Sequence, residues 1–532
     1  MLLNGKNAGE WPELAPQYEH TVRSVPDERV PFPRDIQNIV DHPLFQRLRA
    51  VKQLAFVDRV YPDATHSRFA HSLGVYGNAI RYVQALLANE WAGQFRELLN
   101  ERDLRTLLVA ALLHDLAQYP FAHAIEDLHR RASGRIGSDS LNHEALTRRL
   151  ILDADFRRSL TVEFGYEAED LGHLIEAAGT STDDVAAVLA GEGTATMSLE
   201  VSRLLRSIVD GPIDVDKLDY LRRDSHHAGV QFGLSIDVGR LLMSLAVVER
   251  QPAFGSEAVF EIGVIEKGVS TAEEMLMARA HMFTQVYWHR TVRAHEAALA
   301  SAIGKLRRAT IGLDAWFSST VLGPRIGDGD LISECTRLCG GNGDESVEIL
   351  TSPSSKRLRE EASGLLSSLQ WYSGRSPYKQ LVELGAREDI LTYNALQRIR
   401  EYATLHAPEL FDELAERLAS AMSSKLGVSV RPEHLLFDVP TSRSAANNVA
   451  VVRTEEPHIG RVSNLAEHSP FWRKFGEGFH EATCMVRLFA PAHVREQLRE
   501  TESNFKQVVL NELQEASVSV GKSIAEQTEL EM

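Results

Sequence analysis

The sequence predicts a mainly α protein: a large helical core, a helical extension, and a small α+β lobe toward the C-terminal end. Three observations predict it. Apolar residues recur every three or four positions through most of residues 36–305. Alternating, strand-like runs are few and gather late in the chain. With 532 residues, 44% hydrophobic and 25% charged, the chain has the composition of a globular protein and the length for a large core.

Residues 1–35 are Pro-rich and irregular and read as an N-terminal arm. Ile36, Val40, Leu44, Leu48 and Val51 then recur at helical spacing, with Pro43 starting a fresh helix within the stretch. Pro62 and Asp63 favour a turn over 61–66. Helical patterns follow over 68–90, 101–117, 121–132, 141–153, 199–209 and 214–224, with one long helix over 271–306. Residues 258–265 alternate and suit a locally paired strand. A helical stretch covers 355–425, and strand signals appear at 434–440, 449–454 and 483–490. The domains expected are the arm (1–35), the helical core (36–305), the helical extension (306–425) and the mixed lobe with a polar tail (426–532). No internal repeat or low-complexity block interrupts this order.

The bulk properties exclude several classes. A net charge of −17 disfavours a nucleic-acid polymer as main partner, because the overall field repels polyanions. A small anion remains compatible, since a metal and a few cations set the field inside a pocket. Three cysteines, Cys335, Cys339 and Cys484, make no disulfide framework and suit a reducing cytosol. As a zinc half-site, Cys335 and Cys339 lack nearby Cys or His partners. The first residues lack a signal-peptide pattern, and apolar runs such as 107–113 are too short to span a bilayer. A cytoplasmic protein is expected. No GxxxxGK[ST] loop occurs, which argues against ATP-driven mechanical work.

Three segments carry residues that are costly to bury without a role. HSRFAHSLGV (66–75) sets His71 on an apolar helix, where a lone histidine reads as a hydrogen-bonded core residue. ALLHDLAQYPFAHAIED (111–127) places Asp115 after an apolar run and therefore, by spacing, inside a helix, where a capping role does not fit. An unpaired carboxylate there would cost several kcal/mol, roughly, so a metal or strong hydrogen bonds must compensate. GPIDVDKLDYLRRDSHHAGV (211–230) interleaves acids with Ile213, Val215, Leu218 and Leu221, which makes a half-buried helix rather than a solvated one. Together His71, His114, Asp115 and Asp216 supply two imidazoles and two carboxylates from separate helices. That donor set suits a divalent ion: Mg, Mn, Fe, Zn, Co or Ni. A water on such an ion is a nucleophile for hydrolysis.

These segments resemble the H…HD…D pattern of the HD superfamily. FQRLRAVKQL (45–54), YPDATHSRFAHSLGV (61–75), LLHDLAQYPFAH (112–123) and IDVDKLDYLRRDSHHAGV (213–230) look more closely like its deoxynucleoside triphosphate triphosphohydrolase branch. RAHMFTQVYWHRTVRAHEAAL (279–299) is similar to the helix that follows the core there, so the resemblance covers about residues 35–305. It implies an HD-domain helical core with metal ligands His71, His114, Asp115 and Asp216. It implies His123 and His143 near the scissile phosphate, with Glu126 orienting such a histidine. Arg68, Lys217 and Arg279 fall on triphosphate contacts, Gln53, Tyr220 and Asp224 on sugar contacts, and Tyr287 on a residue packed against sugar or base. The implied reaction is attack of water on the α-phosphorus of a dNTP, releasing a deoxynucleoside and inorganic triphosphate. A homo-oligomer is implied, and Asp41, Gln46 and Arg49 match positions that bind an activating nucleotide, although they equally suit a salt-bridged structural helix.

The pattern departs in places. Gln118 stands where the branch carries a second histidine; glutamine hydrogen-bonds but does not shuttle protons near neutral pH. The acid–base role then rests on His123, or the reaction differs. Phe283 and Trp288 replace more polar residues and leave base preference open. Gln118 keeps a second reading open, an HD phosphatase or phosphodiesterase acting on another nucleotide: a monophosphate, a cyclic nucleotide or a short oligonucleotide. A third is a metal-bound, nucleotide-sensing scaffold with weak catalysis. At most one of His226 and His227 faces the site, because neighbours on a helix diverge by about 100°. His289 is an open phosphate contact, and 442–448 reads as a surface loop.

Overall fold

The structure, a computed structural model, describes residues 2–3, 6–7, 20–26, 29–122, 125, 143–160, 171, 197–250, 259–317, 319, 326–342, 346–370, 378–385, 390–405, 410–440, 449–455, 459–475, 485–501 and 505–515. It is mainly α, as the spacing of apolar residues predicts.

In chain order the longer elements of the helical core begin with α1 (Arg34–Asp41), α2 (Arg68–Ala88) and α3 (Glu101–Leu113). Then come α4 (His143–Leu152), α5 (Leu199–Val209) and α6 (Val215–Ala228). Strands β1 (Leu245–Arg250) and β2 (Val259–Ile265) precede α7 (Val269–Met282) and α8 (Arg290–Arg308). Side-chain caps fix several starts: Ser67 accepts from Ala70 N, Asp214 from Lys217 N at 2.6 Å, and Asn100 forms a capping box with Asp103. Gly229, at φ 68°, ends α6 in the left-handed conformation that glycine tolerates. Helix α2 packs against both α3 and α6 and is buried on most of its surface. That burial explains its weak amphipathicity.

The second half adds α9 (Asp328–Cys339), α10 (Pro353–Leu369), β3 (Tyr378–Leu384), α11 (Ile390–Leu405) and α12 (Leu410–Leu426). It closes with β4 (Leu436–Asp438), β5 (Ala450–Val452), β6 (Val462–Asn464), β7 (Val486–Pro491) and α13 (Ala492–Thr501). One sheet runs β6–β5–β2–β1, with β5 parallel to β2 and the other pairs antiparallel. The other runs β4–β7–β3 and is antiparallel. Residues far along the chain, Val449, Val451, Leu465 and Trp472, thus join the core built by α2 to α8. A second core gathers α11 and α12 with β3, β7 and α13, and takes in Phe283 and Trp288.

Three element readings are corrected. The helix expected over 271–306 is two helices: a π-helical turn at Phe283–Tyr287 separates α7 from α8, and the His289 ring caps α8 by accepting from Thr291 N. Asp115 does not lie inside a helix, because α3 stops at Leu113 and a turn follows, anchored where Ala117 N donates to Thr147 Oγ1 at 3.0 Å. The helical stretch over 355–425 is interrupted by β3, whose buried positions Tyr378, Leu381, Val382 and Leu384 mimic helical spacing until pairing with β7 decides the conformation. The expected helix at 121–132 lies largely outside the described residues, as does Cys484. Among the described residues no helix is long and apolar enough to cross a membrane.

Candidate functional site

Helices α2 and α6 and the turn after α3 bring the first cluster together. His71 is buried on α2, and its Nδ1–H donates to Asp219 Oδ2 at 2.8 Å. This turns Nε2 toward Asp216 Oδ1 at 2.9 Å and Asp115 Oδ2 at 3.7 Å. His114, at the end of α3, donates from Nδ1 to Ala111 O at 2.9 Å. Its Nε2 stands 3.5 Å from Asp115 Oδ2 and 3.6 Å from Asp216 Oδ1. Both rings therefore present Nε2 to the same carboxylates, with Nδ1 held from behind. Arg223 fixes Asp219 in turn, donating from Nε and Nη2 at 2.8 and 2.9 Å.

The electrostatics of this cluster follow from carboxylates crowded into little solvent. Burial works to lower the pKa of His71, but hydrogen bonds to Asp216 and Asp219 outweigh it and raise the ring to about 10. Burial likewise opposes ionisation of Asp115, yet Arg68, His114, His71 and His143 hold the carboxyl well below the usual range. The field that favours a proton on His71 equally favours a cation beside it. His114 Nε2 is buried with no hydrogen-bond partner, a lone pair that a metal would engage. Among the described residues His71, His114 and Asp115 offer ligand atoms within 4.8 Å of one another, and Asp216 adjoins both rings. Two imidazoles and carboxylates fit a borderline-to-hard divalent ion.

This cluster borders a cavity of about 370 Å³. Gln53, Arg68, Gln118, His143, Lys217, Tyr220, Asp224, Arg279 and Tyr287 border it too, so every described residue expected at the site lies on one cavity. His123 and Glu126 lie outside the described residues. Arg68 contacts Asp115, and Lys217 contacts Asp214. Tyr287 Oη donates to Asp224 Oδ2 at 2.7 Å, and His66 Nε2 meets the other Asp224 oxygen at 2.8 Å. His143 Nε2 is 3.6 Å from Asp115 Oδ1. Gln118 is fully buried, and neither side-chain amide atom has a hydrogen-bond partner; Gln53 Oε1 is in the same condition. Each needs a partner that a ligand could supply.

Other readings sort themselves. His227 stacks on His66 with ring centroids 4.3 Å apart, and burial lowers its pKa to about 4. His289 is spent on its helix cap. Gln46 Nε2 donates to Val40 O and Arg49 Nε to Gln46 Oε1, while the Arg49 guanidinium lies 3.6 Å over the Phe69 ring; Asp41 is exposed. Sequence reasoning missed Asp219 and His66 as supports, and also Arg293, Glu296, Phe437, Asp438 and Pro440 on the cavity wall. The spacing of Asp216 and Asp219 on one helix face was the available signal for the first. Nothing local marks the residues after 426.

Comparison with known proteins agrees with this geometry. The HD domain family profile matches residues 68–218, and the HD associated region profile matches 236–317. The chain is 32% identical over 268 residues to the uncharacterized protein YwfO of Bacillus subtilis, covering 50% of each chain. It is 29% identical over 279 residues to the deoxynucleoside triphosphate triphosphohydrolase SAMHD1 of Gallus gallus, covering 50% of this chain and 42% of the relative. The chain thus spans about half the length of the curated relatives it matches. The crystal structure of a phosphohydrolase from Bacteroides thetaiotaomicron shares the fold, with a TM-score of 0.56 at 20% identity over 89% of this chain and 100% of that one. Residues 68–218 match the HD domain and 236–317 the HD associated region, and the His71–His114–Asp115 cluster, which lies within the first of these, is able to hold a divalent metal ion.

Proposed function

We propose that the protein hydrolyses deoxynucleoside triphosphates to a deoxynucleoside and inorganic triphosphate. The observation that carries this is that Arg68, Lys217 and Arg279 border the same cavity as the metal cluster, together with Gln53, Tyr220, Asp224 and Tyr287. Three cations beside a divalent site suit a polyphosphate. The unpartnered Gln53 Oε1 accepts and cannot donate, so it calls for a hydroxyl or amine rather than a phosphate oxygen. The SAMHD1 relatives bear the name of this activity, which supports the reading.

His71, His114, Asp115 and Asp216 would hold the divalent ion, which when bound supplies Lewis-acid polarisation and a water of lowered pKa. The chain's own residues do the rest. Arg68, Lys217 and Arg279 bind and orient the triphosphate, and Asp224, steadied by His66 and Tyr287, orients the sugar. Water adds to the α-phosphorus as the bond to the 5′-oxygen breaks, and the leaving oxygen takes a proton. Gln118 can hydrogen-bond an oxygen of the reacting group but has no proton to exchange, so His123 or His143 serves as the acid. Scarce cysteine supports a cytoplasmic setting. The resemblance supports a homo-oligomer, and an activating nucleotide near Asp41, Gln46 and Arg49 belongs to the same reading.

The test is product analysis by chromatography after incubation with each dNTP, NTP and dNMP in Mg or Mn. Deoxynucleoside plus triphosphate is the expected outcome, whereas orthophosphate, pyrophosphate or a monophosphate would point to another phosphohydrolase reaction. Asp115→Ala and Asp216→Ala are expected to lose bound metal and activity together. Full metal content and turnover in both variants would remove the site.

A further inference from the structure

A second polar group borders the metal-site cavity, and half of it comes from beyond the regions that the family profiles match. Arg293 and Glu296 of α8 meet Asp438 of β4 there. Arg293 donates from Nε to Asp438 Oδ2 at 3.0 Å and from Nη2 to Oδ1, a two-pronged pair, and from Nη1 to Glu296 Oε2 at 2.7 Å. Asp438 is almost fully buried, and Arg487 Nη1 lies 3.6 Å from its Oδ2. Aromatic rings border the same space: Phe283 lies edge-on to Tyr287 and Trp288 at 5.2 and 5.4 Å, and Phe437 adds a half-buried ring. Flat apolar walls with a few convergent polar groups suit a planar heteroaromatic ring that has a hydrogen-bonding edge.

We propose that Phe437 and Asp438, carried on β4, complete the nucleobase end of the pocket. With Glu296 they select bases bearing an exocyclic amino group over thymine. The proposal rests on the nucleotide reading above. Ionised carboxylates only accept hydrogen bonds. Adenine, cytosine and guanine offer them an amino group. Thymine offers a single ring N–H flanked by carbonyl oxygens, which would face the carboxylates unfavourably. Arg293 holds Asp438 in place and balances its charge, so the pair is buried without an orphaned ion.

The experiment uses the full chain, its Asp438→Asn and Phe437→Ala variants, and dATP, dCTP, dGTP and dTTP as substrates. Inorganic triphosphate, which has no base, serves as a calorimetric probe of the phosphate end. The wild type is expected to prefer the three amino-bearing dNTPs to dTTP by about tenfold or more in kcat/KM. Asp438→Asn is expected to shrink that preference to about threefold or less, and Phe437→Ala to raise KM for all four by about tenfold. Neither variant should change the Kd for triphosphate. The inference is overturned if base preference and KM survive both substitutions, or if triphosphate affinity falls in step with KM, since the damage is then not at the base. A wild type that neither binds nor hydrolyses any dNTP overturns the nucleotide reading and this inference together. A wild type active on dNTPs but indifferent to both substitutions overturns this inference alone.

Discussion

Asp219 shows how one residue can govern a metal centre without touching the ion. Its Oδ2 accepts from His71 Nδ1 and Arg223 Nε, which fixes the tautomer and the ring plane that presents Nε2. Asp219→Asn keeps the shape but removes the charge, and metal affinity is expected to fall by about 10- to 100-fold. Competition with a chelating dye measures this, and unchanged affinity would mean that His71 is oriented by something else. Asp328 is a different case. Burial is the largest influence on it and raises its pKa to about 6 although the Phe121 and Lys52 amides donate to it. A carboxyl raised in the folded state contributes stability that is complete below its unfolded pKa of about 3.9. That contribution is lost as pH rises through about 6. The stability of wild type relative to Asp328→Asn should therefore decline between pH 4 and 7, as read from denaturant midpoints; a flat difference would contradict the assignment. Asp328 reaches these amides across 276 and 207 positions of chain, which is why no local pattern in the sequence exposed it. The candidate ligands His71, His114, Asp115 and Asp216 were legible because polar residues interrupt apolar runs at short range.

At the scale of elements, the close approach of α2 to α6 is what allows the cluster to form. Gly74 sits at that crossing, where an added Cβ would lie 1.9 Å from Asp219 Oδ1 and 2.1 Å from Arg223 Nη2. Gly74→Ala must displace that ion pair or separate the helices, at about 1–3 kcal/mol of stability by overpacking. It is also expected to weaken metal binding, because Asp219 carries the strain to His71. Thermal denaturation with and without metal separates the two effects, and a variant as stable and metal-avid as wild type would show that the crossing has slack. Helix existence was legible from apolar spacing, but element ends were not. The run before Asp115 gives no sign that α3 stops at Leu113, since the stop depends on Thr147 receiving the Ala117 amide from another element. The π-helical turn at Phe283–Tyr287 was equally silent, yet Phe283, Tyr287 and Trp288 all border the cavity from it or just beyond it.

At the scale of the molecule, the matched regions end at residue 317, but the core they belong to does not. Strand β5 pairs in parallel with β2, and Val449, Val451, Leu465 and Trp472 are buried in the same core as the helices of the metal site. Such long-range pairing is what a single sequence conceals: the strand at 449–454 was recognisable, while its partner lay some two hundred residues upstream. Each of those side chains is worth roughly 1.5–3 kcal/mol when buried. Losing four of them approaches the about 5–15 kcal/mol that holds an ordinary domain folded. A fragment of residues 34–317 would also leave the β2 edge unpaired, a template for aggregation. That fragment is therefore expected to lack a cooperative thermal transition and to associate, whereas a fragment retaining 449–475 as a co-expressed segment should recover both folding and metal binding. Calorimetry and sedimentation read these outcomes directly. A monomeric 34–317 fragment that melts cooperatively and binds metal like the full chain would show that the C-terminal strands only decorate a core complete without them.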